Sequence, residues 1–267
     1  QNQGDIPRTL SLKEIEALEE AFTLAACRAK QAGFDGVEIH GAHGYLISQF
    51  CSPLTNFRTD AYGFDLRGRT FFFRNVIRRC KERAGADFPV IARINGRDYV
   101  EGGLDLPESL EMAGLLQEAG ADGVHVSVGM HASRPYMMIP GMDIPRGCNL
   151  ELSRAFKKAL KIPVIGVGRI NDPATAAAAL SGASADFVAL GRALIADPEW
   201  PNKVKNGRKD LRLCIACNEG CAGRLHKGLP MSCSINPAVG KEVEFKSRLA
   251  TPPRHRRVWV IGAGPAG

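Results

Sequence analysis

Four of the eight cysteines lie close together near the C-terminal end of the 267-residue sequence. They are Cys214, Cys217, Cys221 and Cys233, spaced C-x2-C-x3-C-x11-C. Three neighbouring thiolates and a more distant fourth can converge on one inorganic centre, and this spacing suits a [4Fe–4S] cluster. Structural zinc sites more often have two separated C-x2-C pairs, and disulfides are disfavoured without a secretion signal. The array therefore predicts an iron–sulfur cluster, with zinc as the competing interpretation.

Other polar residues that could bind a ligand or take part in catalysis follow or interrupt short apolar segments. They are His40, His43, Arg93, His131, Arg169 and Arg192. A buried cation is costly without an anionic partner, so Arg93 predicts either a bound anion or a salt bridge in the core. Histidines three residues apart could bind a metal, but no pattern of nearby carboxylates supports that alternative for His40 and His43.

Five short apolar segments, each separated from the next by a helical stretch, are predicted to be strands. They run from Val37 to His40, Pro89 to Ile94, Gly123 to Val128 and Pro163 to Val167, and the last ends with Phe187-Val188. Alternating strands and helices predict an α/β fold with a parallel sheet. A doubly wound sheet gathers functional residues at one switch point, whereas a (β/α)8 barrel places them after every strand. Because polar residues accompany all five strands, the pattern favours a barrel.

One helix-to-strand unit recurs along the chain. Ala32–Val37 reads Ala-Gly-Phe-Asp-Gly-Val, Ala119–Val124 repeats it closely, and Gly182–Val188 repeats it weakly. Ser11 and Glu14 form a predicted capping box at the start of the first helix. Gly33 is predicted to end that helix in a left-handed conformation. Similarly, Asp172 is predicted to cap a later helix.

Composition excludes several classes of protein. The chain is 45% hydrophobic and 24% charged, which is typical of globular proteins. No run of about 18 uncharged apolar residues predicts a membrane span, and the polar first residues predict a cytoplasmic protein without a signal peptide. The net charge of +7 is spread along the sequence, so no nucleic-acid partner is predicted. The first residue is not Met and the last residues form a glycine-rich turn, so we expect a segment of a longer protein.

Four motifs resemble the old yellow enzyme family of NADH:flavin oxidoreductases. They occupy residues 35–46, 49–60, 168–173 and 191–198, in the order expected for that family. The cysteine array is similar to that of an iron–sulfur subgroup containing 2,4-dienoyl-CoA reductase, trimethylamine dehydrogenase and bacterial enoate reductases. The resemblance covers nearly the whole chain. It implies a (β/α)8 TIM barrel, of which this chain would hold the C-terminal part, about strands 4 to 8.

The same resemblance implies three domains or parts of domains. Residues 1–210 would be the FMN-binding part of the barrel, and residues 211–250 the cluster-binding segment. Residues 251–267 would be a linker and the start of a domain that binds FAD and NAD(P)H. That start comprises a strand at Val258–Ile261 and a dinucleotide-binding turn containing Gly262, Gly264 and Gly267.

Residue roles follow from the resemblance as well. Tyr45 resembles the family's proton donor, and His131 resembles a histidine that assists it. His40 and His43 occupy positions that hydrogen-bond the substrate's carbonyl oxygen, where negative charge builds up. Arg93 would face the pyrimidine edge of reduced FMN.

Gly168, Arg169, Gly191 and Arg192 follow the last two strands, where barrels commonly bind phosphate. The resemblance implies that this phosphate is that of FMN.

The implied activity is reduction of the C=C bond of an α,β-unsaturated carbonyl compound of the enoate or 2,4-dienoyl-CoA type. Electrons would pass from NAD(P)H through FAD and the cluster to FMN. Two alternatives remain open: oxidative demethylation of a small methylated amine, and a non-catalytic barrel stabilised by zinc. The expected partner is a small-molecule substrate, and a homo-oligomer is left open.

Overall fold

The chain forms a parallel β-sheet covered by helices, followed by a largely irregular segment that contains the cysteine array. The computed structural model describes residues 8–130, 133, 135–248, 257 and 259–262. The strands are β1 (Val37–Gly41), β2 (Val90–Asn95), β3 (Gly123–Ser127), β4 (Val164–Gly166) and β5 (Phe187–Val188). The helices are α1 (Leu12–Gln31), α2 (Leu46–Cys51), α3 (Leu66–Arg69), α4 (Phe71–Ala84), α5 (Leu106–Glu118), α6 (Pro135–Met138), α7 (Leu150–Ala159), α8 (Pro173–Ser181), α9 (Arg192–Ala196), α10 (Trp200–Lys205) and α11 (Glu242–Arg248), with a π-helical turn at Glu219–Gly223.

The sheet confirms the predicted α/β organisation. All neighbouring strands are parallel, and their spatial order is β1-β2-β3-β4-β5, the same as their order along the chain. A doubly wound sheet would reverse this order at a switch point. An order without reversal is that of successive strands in a (β/α)8 barrel.

The core lies between the helices and one face of the sheet. Alternate strand residues such as Ala92, Ile94, Val124 and Val126 are fully buried, and so is Phe72 of α4. The opposite face carries the polar strand residues, because successive side chains of a strand point to opposite sides. One face of the sheet therefore holds the fold together while the other is available for chemistry.

The recurring unit has a structural basis in its aspartate. In the second copy, the carboxylate of Asp122 accepts a hydrogen bond from Val90 N at 2.7 Å. In the third copy, Asp186 accepts one from Val164 N at 2.9 Å. Each of these aspartates therefore ties the start of its own strand to the start of the preceding strand, which sets the register of the sheet.

Predicted helix ends are also confirmed. The Ser11–Glu14 capping box is present at the start of α1, and Gly33 follows that helix with a φ of +87°. Asp172 caps α8, where its carboxylate accepts a hydrogen bond from Thr175 N. None of the described helices combines the length and apolar character that crossing a membrane requires.

The predicted strand at Val258–Ile261 is not found in the described residues. Val258 lies outside the described residues, and Trp259, Val260 and Ile261 have no regular structure and are largely exposed to solvent. A strand exists only through hydrogen bonds to a neighbouring strand, and no described strand pairs with these three residues. Apolar composition alone misled the prediction here.

Candidate functional site

Three aromatic side chains predicted to act on the substrate lie together just after β1. The ring centre of His40 is 5.0 Å from that of His43 and 5.4 Å from that of Tyr45. Tyr45 is the N-cap of α2, and half of its surface is exposed. The strand-to-helix turn thus directs two imidazoles and one phenol toward the same region.

The turn that carries His43 adopts an uncommon backbone conformation. His43 has a φ of +65°, and its backbone N–H donates to Asn95 Oδ1 at 3.2 Å. Its Nε2 lies 2.6 Å from Ser127 Oγ. The amide group of Asn95 is in turn oriented by Asp98, whose carboxylate accepts its N–H at 2.8 Å. Residues at the ends of β2 and β3 therefore fix the orientation of His43.

A cluster of ionisable side chains lies across three neighbouring strands on the same face of the sheet. His40, Arg93 and His125 occupy paired positions of β1, β2 and β3. Glu38 joins them, with its carboxylate 2.8 Å from His125 Nδ1 and 3.9 Å from Arg93 Nη1. The Nε atom of Arg93 is buried and has no hydrogen-bond partner within the described part of the chain. The long ion pair therefore leaves a donor of Arg93 for another anionic group.

Burial and neighbouring charges shift the pKa values of three residues in this cluster. Burial lowers the pKa of His40, and the positive charge of Arg93 lowers it further. Burial also lowers the pKa of Arg93, while Glu38 opposes that effect. For Glu38, burial raises the pKa, but the hydrogen bond from His125 and nearby positive charges outweigh it and leave the pKa below its usual value.

A cavity of about 300 Å³ opens at the C-terminal ends of the strands. Its lining includes all five residues predicted to bind FMN: Arg93, Gly168, Arg169, Gly191 and Arg192. The structure thus brings together residues from β2, from the turn after β4 and from the turn after β5. Ser127, the partner of His43, also lines this cavity, which places the imidazole cluster beside it.

The cavity walls leave polar groups without partners. Arg169 donates from Nη1 to the carbonyl of Ile144, but its Nε is buried without a partner among the described residues. Asn149 is buried, and its Oδ1 is in the same situation. Gly168 has a φ of +136°, and a Cβ there would lie 2.8 Å from Asn149 Nδ2, so the turn requires glycine. Unpaired buried donors and an acceptor around one cavity fit a polar, anionic ligand.

All four cysteines of the array line a second, smaller pocket. Each is a free thiol, and Cys214 Sγ and Cys233 Sγ each lie 3.4 Å from the backbone N–H two residues further along. Burial raises the pKa of Cys214, while the N–H of Ala216 opposes this effect. In the described ranges, no three His, Cys, Asp or Glu side chains are arranged as ligands of one metal ion.

The backbone of the cysteine segment is shaped to bring the cysteines together. Ala216 and Asn218 have φ values of +59° and +61°, which turn the chain sharply around Cys217. Gly220 O accepts a hydrogen bond from Ser232 N at 2.7 Å. The segments that carry Cys221 and Cys233 are therefore adjacent. A Cβ at Gly220 would lie 2.5 Å from Ser232 O, which explains the glycine.

Some predicted site residues are not placed together with these. Gly262 has a φ of +121° and is exposed, and it lines neither pocket. His131, Gly264 and Gly267 lie outside the described residues.

Sequence reasoning missed several residues of the site. His125 gave the same signal as Arg93, a polar residue inside an apolar strand, and could have been found in that way. Ser127 is the last residue of β3 and could have been found by its position. Asn149 and Asn218 gave no such signal, because neither follows a strand directly.

Comparison with known proteins agrees with this geometry. Residues 1–211 match the NADH:flavin oxidoreductase / NADH oxidase family. The chain is 46% identical to an NADH oxidase of Thermoanaerobacter brockii over 99% of its own length and 41% of the relative. It is 39% identical to a cinnamate reductase of Clostridium sporogenes, over 97% of the chain and 41% of the relative.

A solved structure of a 2-naphthoyl-CoA reductase in complex with 2-naphthoyl-CoA is also similar. It superposes with a TM-score of 0.84 at 35% identity, covering 88% of this chain and 36% of that one. The chain thus spans about two fifths of the length of the curated relatives described here. The family match over most of the chain and the identity to these relatives show that the chain belongs to the NADH:flavin oxidoreductase family of old yellow enzymes.

Proposed function

We propose that this chain is the C-terminal barrel part and the cluster-binding segment of a flavin and iron–sulfur oxidoreductase. The full enzyme would reduce the C=C bond of an α,β-unsaturated carbonyl compound of the enoate or 2,4-dienoyl-CoA type. NADH or NADPH would provide the electrons, which would pass through FAD and a [4Fe–4S] cluster to FMN. Residues 1–210 would form strands 4 to 8 of the barrel, residues 211–250 the cluster-binding segment, and residues 251–267 the start of the FAD and NAD(P)H domain.

One observation carries this proposal: the two pockets share a wall. Arg192, Ile195, Cys214 and Cys221 line both the 300 Å³ cavity and the pocket of the four cysteines. A group in the first would therefore lie next to a group in the second. Such adjacency suits two redox cofactors that exchange electrons directly.

The cavity residues fit FMN. Arg169 and Arg192 would bind the phosphate, with the backbone of Gly168 and Gly191 close by, while Arg93 would face the anionic edge of the ring. The unpaired Nε atoms of Arg93 and Arg169 support this assignment, because a buried donor without a partner is costly. When bound, FMN would supply hydride transfer and the cluster would supply one-electron transfer.

The spacing of the cysteines, three within eight residues and a more distant fourth, favours a cluster over a single zinc ion, whose sites more often have two separated C-x2-C pairs. Backbone N–H groups pointing at Cys214 Sγ and Cys233 Sγ stabilise negative charge on sulfur, as a cluster requires.

The imidazole cluster suits the proposed substrate chemistry. His40 and His43 would donate hydrogen bonds to the substrate's carbonyl oxygen and stabilise the negative charge that develops there. The exposed Tyr45 would donate a proton to the neighbouring carbon, and His131 would assist it. One relative is named cinnamate reductase, which supports an unsaturated carbonyl substrate. Another is named multifunctional alkene reductase/demethylase, which supports alkene reduction and is equally compatible with the demethylation alternative.

Tyr45→Phe in the full-length enzyme tests the chemical assignment. Loss of the phenol is expected to slow alkene reduction by about 10²- to 10⁴-fold, while reduction of the flavins by NAD(P)H stays unchanged. Stopped-flow measurement of the two half-reactions separates these effects. Tyr62→Phe is the matched control, since the Tyr62 hydroxyl donates to Glu19 Oε1 of α1 at 3.1 Å and Tyr62 lines neither pocket, so this change should not affect either half-reaction. An equal loss in both half-reactions of Tyr45→Phe would refute the assignment.

Metal analysis tests the assignment of the cysteines. The anaerobically purified full-length protein is expected to contain about four irons per chain together with acid-labile sulfide. A single zinc per chain, without sulfide, would instead support a zinc-stabilised barrel.

A further inference from the structure

A single asparagine links the two pockets. Asn218 lies between Cys217 and the π-helical turn that carries Cys221. Its Oδ1 accepts a hydrogen bond from Arg192 Nη1 at 2.5 Å, and its Nδ2 donates to the carbonyl of Ile139 at 2.8 Å. The same Arg192 nitrogen also donates to the carbonyl of Pro140 at 2.8 Å. The side chain of Asn218 thus joins the cysteine loop to the start of α9 and to the segment that follows α6.

The backbone of Asn218 shapes the cysteine loop itself. Its φ of +61° lies in the left-handed region, which asparagine tolerates better than most residues other than glycine. Its carbonyl accepts a hydrogen bond from Gly223 N at 2.7 Å and so closes the turn around Cys221. A movement of Asn218 would therefore also move Cys217 and Cys221, which lie on either side of it in the chain.

Arg192 brings the other pocket into the same network. Its Nη1 serves both hydrogen bonds just described, so the remaining guanidinium nitrogens stay available for an anion in the 300 Å³ cavity. An anion that holds the guanidinium in place also holds the acceptor oxygen of Asn218. Conversely, a cysteine loop held in one arrangement fixes the guanidinium for the anion.

We propose that the Arg192–Asn218 hydrogen bond couples the occupancy of the two cofactor sites, so that a bound cluster tightens FMN binding and bound FMN slows loss of the cluster. This inference rests on the proposed function, because it assigns FMN and a [4Fe–4S] cluster to the two pockets. Asn218 is a positioning residue in this scheme, and Arg192 contacts the phosphate. In binding free energy such a coupling is reciprocal by thermodynamic necessity, so bound FMN stabilises the bound cluster by the same factor, and slower loss of iron is the expected kinetic consequence.

The test measures FMN affinity in the full-length protein with the cluster intact and after its anaerobic removal by a chelator. FMN is titrated into flavin-stripped protein and its fluorescence is followed. Removal of the cluster is expected to weaken FMN binding by about tenfold in the natural sequence. In Asn218→Gly, which keeps the left-handed backbone but loses the side chain, the expected change is less than about threefold.

Two controls separate coupling from simple loosening of the segment. Asn236→Ala removes another tether of the same segment, the bond from Nδ2 to the carbonyl of Ile195 at 2.9 Å, without touching Arg192. This variant is expected to lose iron faster but to keep the tenfold coupling. Riboflavin, which lacks the phosphate, is expected to bind equally well with and without the cluster.

A second measurement approaches the coupling from the other side. Chelator-driven loss of iron should be slowed by added FMN in the natural sequence and unaffected by FMN in Asn218→Gly. This readout remains available where the cluster-depleted protein does not stay folded. Equal coupling in the natural sequence and in Asn218→Gly, or equal coupling for riboflavin and FMN, overturns the inference.

The outcomes also separate this inference from the proposed function. A natural full-length protein that binds no iron or no FMN rejects the proposed function and the coupling together. A protein that holds both, but binds FMN equally well with and without the cluster, rejects the coupling alone.

Discussion

The strand-and-helix part and the cysteine segment are held together by different forces. In the first, large apolar side chains such as Phe72, Phe73 and Phe156 are completely buried. In the second, several apolar side chains remain exposed, among them Ile215 and Leu225. The first part can therefore rely on the burial of apolar surface, the dominant stabilising contribution in folding.

The cysteine segment instead depends on hydrogen bonds to specific atoms of the strand-and-helix part. Asn171 Nδ2 donates to the carbonyl of Cys214 at 2.5 Å, and Asn236 Nδ2 donates to the carbonyl of Ile195. Such bonds fix position but each contributes only about 1 kcal/mol. The difference indicates that the scaffold should keep its shape without the segment, whereas the segment needs both its tethers and the proposed cluster.

The largest expected effect comes from removing one ligand of the proposed cluster. Cys221→Ser in the full-length enzyme should abolish reduction of FMN by NAD(P)H, because its thiolate is lost as a ligand, while reduction of FAD is spared. The far-UV circular dichroism spectrum of the enzyme should not change, because the strand-and-helix part keeps its fold. Rapid-reaction spectroscopy of each flavin checks the first expectation.

Cys27→Ser is the matched control for this variant. Cys27 is a free thiol on α1, outside the array, and its replacement should leave the reduction of both flavins intact. Normal reduction of FMN in Cys221→Ser would contradict the electron path. Collapse of the helical signal in that variant would contradict the independence of the two parts.

A core substitution should show the opposite pattern. Phe72→Ala removes a completely buried ring from α4 and is expected to lower the free energy of unfolding by about 3–5 kcal/mol. The iron content measured without denaturant should stay unchanged, because none of the hydrogen bonds described for the cysteine segment involves Phe72. Denaturant unfolding followed by circular dichroism, with iron analysis, measures both. Phe34→Ala, at a side chain 65% exposed, should change stability by no more than about 0.5 kcal/mol.

Much of the scaffold was predictable because its signals are local. Spacing of apolar residues, the Ser11–Glu14 capping box and the repeated Asp122 and Asp186 each act within one helix-to-strand unit. The weak third copy shows the limit of such reasoning, since its left-handed residue is Ala183 rather than Gly182. Val258–Ile261 shows another limit, because a strand needs a neighbour that its own sequence does not reveal.

The site was predictable only where chemistry and position coincide in the sequence. Arg93 and Arg192 follow or interrupt strands, so their gathering around one cavity could be inferred from barrel geometry. The roles of Asn149 and Asn218 could not be inferred in this way, because they arise from contacts between segments far apart in the chain. Asn218, for example, bonds to Ile139, 79 positions away.

A smaller effect is expected at the junction between the two parts. Asp197, at the end of α9, is completely buried and accepts hydrogen bonds from Lys203 Nζ at 2.9 Å and Arg212 N at 3.0 Å. Asp197→Asn keeps the size but removes the charge opposite Lys203, which should lower the free energy of unfolding by about 1–3 kcal/mol. It should also speed the loss of iron, because Arg212 leads directly into the cysteine segment.

Asp87, whose side chain is 90% exposed beside Lys30, provides the control for that junction. Asp87→Asn removes a charge that is largely exposed to solvent, so neither stability nor iron retention should change measurably. If Asp197→Asn lowers stability without affecting iron, the junction stabilises the scaffold alone and the tether to the segment is unimportant.

The smallest expected effect concerns the ionisation of His40 on the polar face of the sheet. Because burial and the charge of Arg93 lower its pKa, His40 should titrate below the ordinary value of about 6.5 in flavin-stripped full-length protein. The folded protein then binds fewer protons than the unfolded chain, so the free energy of unfolding should decrease as the pH falls below about 6.5. Histidine NMR, with His40→Asn to assign the resonance, measures the midpoint.

Changing one neighbour sharpens this last expectation. Glu38 raises the pKa of His40, so Glu38→Gln should move the midpoint of His40 further down. Glu20→Gln alters an exposed carboxylate on α1 that pairs with Arg83 and should leave the midpoint in place. A midpoint at or above about 6.5 in the natural sequence would show that solvent and nearby acids outweigh burial on this face. In its access to solvent, the polar face of the sheet would then resemble the cysteine segment more than the apolar core on the other face.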